Sequence, residues 1–228
     1  MENTNQQTKK IDTEFYIQIG IVAVLALIIV FSAGKIYGNS GADINDAGIT
    51  GASVLTSEII PTGVPAVYGS VLGVSYDDVS ASNSQKADAT ISLLGQLDNE
   101  IELSGADLER YIYVLYKLEN GISCEYCCGA RAIIFEDGSP ACGCAHSYAM
   151  RGLTKYLIKN YKSEYTDEEL LAETGKWKVL FFPGIHETKA QVLEANGIDS
   201  TDYINLASNK YRGIEQGTSS SGGMVGGC

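Results

Sequence analysis

Cysteine is the residue in this chain whose type and spacing could do chemistry. Six are present, and five of them fall within 21 residues, from Cys124 to Cys144, while the sixth is Cys228. The cluster opens as Cys124-Glu125-Tyr126-Cys127-Cys128-Gly129, and thirteen positions then separate Cys128 from Cys142. It resumes as Cys142-Gly143-Cys144-Ala145-His146. A C-x-x-C pair on a tight turn lets two sulfurs converge on one ion, and the following glycine relieves backbone crowding. A C-x-C-x-H run, if extended, points alternate side chains the same way. Two such half-sites make a tetrahedral, sulfur-rich site. The candidate metal ligands are therefore Cys124, Cys127, Cys128, Cys142, Cys144 and His146. Zinc is the first expectation for the ion, with copper and an iron–sulfur cluster as alternatives that thiolates also suit. Five clustered thiols and one imidazole exceed the four ligands of a zinc site, so at least one cysteine is spare.

The same residues permit thiol redox work. Cys124 and Cys127 would be the catalytic dithiol, with Cys228 as a resolving thiol on the arm Ser221-Gly222-Gly223-Met224-Val225-Gly226-Gly227-Cys228. A thiol on a glycine-rich arm has a high local concentration at a nearby site, and Met224 adds a second sulfur. The third reading is a staple, of zinc or of disulfides, that only holds a small fold together. Three bridges among six cysteines allow 15 connectivities, and the sequence does not choose between them. Elsewhere the chemistry is thin. His186 reads as a cap or surface residue, and Asp77, Asp78, Asp98, Glu100 and Glu102 as solvated loop charges. The chain has no nucleophile elbow, phosphate loop, zinc-protease motif or haem-attaching C-x-x-C-H.

The elements that must position the cluster follow from the pattern on either side of it. The chain of 228 residues carries 16 Lys+Arg against 28 Asp+Glu, a net charge of -12. A surface this negative excludes nucleic acid as a partner. Residues 1–14 are a polar tail. From Phe15 to Gly34 run 20 residues without a charge, enough for a helix of about 30 Å. Residues 15–34 are therefore expected to cross a lipid bilayer as a transmembrane helix. A cleavable leader fits less well, because cleavage after Ala33 would put Phe31 at the -3 position. Lys9 and Lys10 before the span, against Lys35 after it, place the N-terminus inside and the domain outside a cell membrane. Residues 35–64 read as a Gly/Ser-rich linker, 65–213 as a Cys-rich domain, and 214–228 as a flexible tail.

Within the domain the pattern predicts an α+β fold: a β-rich half, then a small helical bundle around the Cys/His cluster. The strands are expected at 67–69, 71–76, 89–94, 101–103, 110–118 and 130–135. Asp137-Gly138 signals a turn, so 130–142 would form a hairpin joining the two halves of the cluster. From His146 the period becomes helical, with Ala149, Met150, Leu153, Tyr156 and Leu157 on one face. Thr166 and Glu169 form a capping box that opens a second helix. Further helices are expected at 188–195 and 201–211.

Residues 124–183 resemble the CcmH/NrfF family of cytochrome c maturation proteins. The match lies in Cys124 and Cys127, then Ser147, Ala149, Met150 and Arg151, then Thr166-Asp167-Glu168-Glu169-Leu170, and Trp177 through Val179 and Leu180 to Pro183. The resemblance implies a membrane-anchored, outward-facing domain whose dithiol, Cys124 and Cys127, acts on another protein's thiols. The run of cysteines also looks like that of prokaryotic membrane-anchored Cys-rich proteins, which implies no function. Taken together, the sequence predicts an extracytoplasmic module that binds a soft metal for metal handling or thiol maturation. Its partner would be a protein thiol or a metal donor or acceptor.

Overall fold

A computed structural model of the chain describes residues 58–218 and 223–226. The helices are α1 (Gly69–Leu72), α2 (Ser84–Glu100), α3 (Gly105–Ile112), α4 (Ala145–Asn160), α5 (Asp167–Phe181), α6 (Pro183–Ala195) and α7 (Tyr203–Ala207). A π turn over Tyr113–Lys117 extends α3. The α+β expectation is corrected: no sheet forms among the described residues, and Ile134 and Pro140 make an isolated antiparallel bridge.

The reason is visible in two of the expected strands. Residues 89–94 lie inside α2, which Asn83 caps by accepting the Lys86 N–H at 3.2 Å. Ala87, Ile91 and Leu94 are buried there, at spacings of four and three. Residues 110–118 alternate apolar and polar side chains, yet the buried set is Tyr111, Val114 and Leu115. That set is a helical stripe, and packing of the stripe against the core outweighs the β preference of the aromatic and branched residues. The turn at Asp137-Gly138 does reverse the chain: Phe135 N–H donates to Ser139 O at 2.8 Å and Ala141 N–H to Ile133 O at 3.1 Å. The reversal brings 133 beside 141 without a sheet.

The membrane expectation is also corrected. Among the described residues no helix is long and apolar enough to cross a membrane. The single-pass placement, with its inside N-terminus and outside domain, rested on residues 15–34 alone, and these lie outside the described residues.

The helical half matches the pattern more closely. Thr166 Oγ1 accepts the Glu169 N–H at 3.2 Å, and Glu169 Oε2 accepts the Thr166 N–H at 2.7 Å, so the capping box opens α5. Helix α6 starts at Pro183, ahead of the expected 188, because proline suits the first helical position. Helices α2 and α4 cross at very close range. A Cβ on Gly152 would sit 2.0 Å from Leu94 O and 2.8 Å from Asp98 N. Only glycine permits that approach, and it fixes the register of α4, whose N-terminus carries the second half of the cluster. The main core gathers Trp177, Phe181, Phe182, Met150 and Leu153, and Cys124 and Cys142 belong to it. A smaller core joins Val179, Ala190, Leu193 and Leu206 under α6 and α7.

Candidate metal centre

Two loops carry the cysteines, and each is tied down by non-thiol contacts. After the π turn the chain bends sharply through Glu119, Asn120 and Gly121, all with positive φ. A Cβ on Gly121 would lie 2.3 Å from Leu115 O, so only glycine passes there. The chain then enters the Cys124 turn, where the Cys127 N–H donates to Cys124 O at 3.2 Å. Asn209, just beyond α7, staples this loop. Its N–H donates to Gly121 O at 2.8 Å, and its Nδ2 donates to Asn120 O and Arg131 O at 2.9 Å each. Its Oδ1 accepts the Ser123 hydroxyl at 2.6 Å. Arg212 adds Nη1 to Ala130 O at 2.9 Å and Nη2 to Gly129 O at 3.0 Å.

The Cys142–Cys144 segment hangs from α4. Arg151 is fully buried there. Its Nη1 donates to Cys142 O at 2.8 Å and Ile133 O at 3.2 Å, and its Nε to Asp98 Oδ2 at 2.7 Å. Lys155 Nζ pairs with Asp98 Oδ1 at 2.7 Å. Asp98, read from the sequence as a solvated charge, is in fact the buried anion that keeps Arg151 in place. Its helical position in α2 hid this.

The sulfurs of Cys124, Cys127 and Cys144 all lie within 4.8 Å of one another. The Cys144 and Cys124 Sγ atoms are 3.4 Å apart, and the Cys144 and Cys142 Sγ atoms 3.6 Å. A metal–sulfur bond of about 2.3 Å in a tetrahedral site sets sulfur–sulfur edges near ~3.8 Å. These contacts are of that size. Cys124 and Cys142 are buried, Cys144 is half-buried, and Cys127 and Cys128 are exposed. The cluster thus has a buried floor and an open rim. Cys128 turns its Sγ toward Cys124 O, 3.9 Å away.

Cys144 is the N-cap of α4. The Ser147 N–H donates to its Sγ at 3.4 Å, and the Ser147 hydroxyl lies 3.3 Å from the same sulfur. The Cys144 thiol is held well below the usual range. The largest cause is its hydrogen bond with Cys124; burial opposes the shift, while His146 and Ser147 add to it. The Cys124 thiol is pushed up, first by the bond to Cys144 and then by burial. Cys144, at the positive end of a helix, is thus the sulfur of the pair whose surroundings favour the thiolate. Burial, then the neighbouring Cys128 thiol, pushes Cys142 up to about 11.

No family model, curated protein or solved structure matches this chain.

Of the expected ligands, the fold brings Cys124, Cys127 and Cys144 together, with Cys142 and Cys128 at their edge. His146 is fully buried beside them. Its Nε2 donates to Val225 O at 2.8 Å, and its ring stacks at a tilt on Phe181 and Phe182, with centroids 4.7 and 5.1 Å away. That ring reaches the Cys144 sulfur but stands outside the three-sulfur group. Val225, in the stretch read from the sequence as a tail, is buried, and its N–H donates to Phe181 O at 2.9 Å. Cys228 lies outside the described residues.

The back of the Cys124 turn is a second polar cluster that the sequence did not reveal. Glu125 Oε1 accepts from Lys178 Nζ at 3.1 Å, and Glu125 Oε2 pairs with Arg212 Nε at 3.2 Å. Lys189 Nζ is 4.0 Å from Glu125 Oε1. His186, expected at the surface, is fully buried, with Nδ1 on Phe182 O at 2.8 Å. Burial, then the charges of Lys178 and Lys189, lower its pKa, so it is neutral. None of these residues carries a sequence motif. The only signal is that Glu125 lies inside the C-x-x-C turn.

Proposed function

We propose that this chain is a soft-metal-binding module, in which Cys124, Cys127 and Cys144 hold a zinc or copper ion for handling rather than as a staple. The observation that supports this reading is the convergence of three sulfurs at sulfur–metal–sulfur distances with one side open. Cys124 supplies a buried anchor, Cys144 a preformed thiolate, and Cys127 a ligand that solvent and an incoming partner can reach. A staple would be expected to enclose its sulfurs and to carry the fold's weight. Here Asn209, Arg212 and Arg151 already hold both loops without any thiol. A donor or acceptor of the ion would approach from the rim of Cys127 and Cys128 and exchange thiolates there.

A second reading, thiol–disulfide exchange, is favoured by one observation: the Cys144 thiolate faces the Cys124 thiol at 3.4 Å. Cys144 would attack a substrate disulfide and release one substrate thiolate. Cys124 would then lose its proton, attack the mixed disulfide and release the second. The substrate disulfide is reduced and a Cys124–Cys144 disulfide is left. This pairing differs from the Cys124 and Cys127 dithiol implied by the resemblance to the CcmH/NrfF family.

Elemental analysis of the full chain purified without oxygen, with a free-thiol count on the same sample, tests the proposal. Bound zinc or copper, with thiols that react only after a chelator is added, is the expected result. A metal-free protein whose thiols stay equally reactive after zinc or copper(I) is added would overturn it.

A further inference from the structure

We propose that the five clustered cysteines form one binuclear site for two monovalent soft cations of the copper(I) class, three sulfurs to each ion, with Cys144 bridging the pair. This rests on the soft-metal reading above and adds the number and class of the ions.

The first argument is the donor count. Two three-coordinate ions that share one sulfur need five thiolates, and five are gathered here. A single tetrahedral zinc needs four ligands and leaves a thiol without a task. Two tetrahedral ions sharing one sulfur need seven donors. His146 Nε2 donates to the Val225 carbonyl at 2.8 Å, and the ring stands beside Cys144 but outside the three-sulfur group. An all-sulfur donor set of this size selects a soft monovalent ion.

The second argument is the arrangement. Cys144 Sγ lies 3.4 Å from Cys124 Sγ on one side and 3.6 Å from Cys142 Sγ on the other. Cys127 completes the first trio with Cys124 and Cys144, all within 4.8 Å. The Cys128 thiol neighbours Cys142, which lies 3.6 Å from Cys144, and these make the second trio once Cys128 turns toward Cys144. Trigonal coordination with bonds of about 2.3 Å gives sulfur–sulfur edges near ~4.0 Å. Cys128 is exposed, and its Sγ has the Cys142 thiol beside it and Cys124 O at a long 3.9 Å. Rotation about χ1 toward Cys142 and Cys144 therefore gives up little. Each trio then has one buried sulfur (Cys124 or Cys142), one exposed sulfur (Cys127 or Cys128) and the shared Cys144. The positive end of α4 and the Arg151 guanidinium on the Cys142 carbonyl face the excess negative charge of five thiolates.

The test is an oxygen-free titration of the full chain with copper(I), in competition with a chromophoric copper(I) chelator. Circular dichroism confirms the helical fold of each variant. The wild type is expected to take two ions per chain. Cys142→Ser and the surface change Cys128→Ser are each expected to take one, and Cys144→Ser to weaken both ions at least tenfold. One ion in the wild type would overturn the binuclear site and leave the soft-metal reading standing; no ion would overturn both. Two ions in the wild type and still two in Cys128→Ser would overturn the assignment of the second trio. Should Cys142→Ser lose its helical signal, Cys128→Ser and Cys127→Ser, both at exposed positions, carry the test, each expected to lose one ion.

Discussion

Replacing Lys189 by methionine should make this protein more stable, although it removes a residue in contact range of a carboxylate. Lys189 has no exposed surface, and its Nζ has no hydrogen-bond partner among the described residues. Burial, then the Lys178 charge, lowers its pKa from 10.5 to about 8, against the opposing pull of Glu125 and Glu215. At about 1.4 kcal/mol per pH unit, carrying this charge into the fold costs on the order of 3 kcal/mol at pH 7. Lys189→Met keeps most of the stem and removes the ammonium, so a gain of about 1–3 kcal/mol is expected at pH 7. The folded pKa lies below the unfolded one. The cost is therefore full below pH 8, and it fades as the pH rises from 8 to 10.5, where both states lose the proton. Urea unfolding of both proteins at pH 7 and near pH 10.5 measures this, with the slope unchanged between variants. A variant less stable than the wild type at pH 7 would refute the reasoning, as would a gain of the same size at both pH values.

Glu125 acts in the opposite sense. Burial raises its carboxyl pKa, but Lys178 and Lys189 pull it down further, so it lies below the ordinary carboxylate range. Its stabilisation is thus present above the unfolded pKa and is lost as the pH falls through the folded one. Glu125→Gln should cost about 3–5 kcal/mol at pH 7, since it leaves Lys178, Lys189 and Arg212 without their shared anion, and urea midpoints of the two proteins should converge in acid. Gly152→Ala should destabilise by about 1–3 kcal/mol or more in the same assay despite the better helix propensity of alanine, because its Cβ would meet Leu94 O at 2.0 Å. Arg151→Met should cost about 3–5 kcal/mol by taking from the buried Asp98 one of its two cations and leaving Lys155 as the other. It should also speed alkylation of Cys142, whose carbonyl it holds at 2.8 Å.

The candidate site was largely legible in the sequence, because cysteine spacing is local and the pairs Cys124/Cys127 and Cys142/Cys144 are recognisable without a fold. Its inner order was not. That Cys144 rather than Cys127 faces Cys124 most closely depends on the 133–141 reversal and on α4 starting where Cys144 caps it. The helical half was readable from the Thr166 capping box and the stripe Ala149, Met150, Leu153 and Leu157, where propensity and packing agree. The first half misled because Thr90-Ile91 in α2 and the run Tyr111-Ile112-Tyr113-Val114, with Tyr116, at the end of α3 and in the π turn are residues that favour strands. The helical burial of Tyr111, Val114 and Leu115 appears only once α4 and α5 pack against them. Arg151, Asp98, Asn209 and Arg212 escaped notice as supports of the site because their partners are distant in sequence and mostly backbone carbonyls. These leave no pattern of side-chain types.

The most direct test of the soft-metal site is site-resolved alkylation followed by mass spectrometry, on the metal-free full chain and after addition of zinc or copper(I). The account predicts that Cys124, Cys127 and Cys144 become protected together on loading and reopen together with a chelator. Protection of none of them, or of Cys127 alone while Cys144 remains as reactive as before, would contradict it.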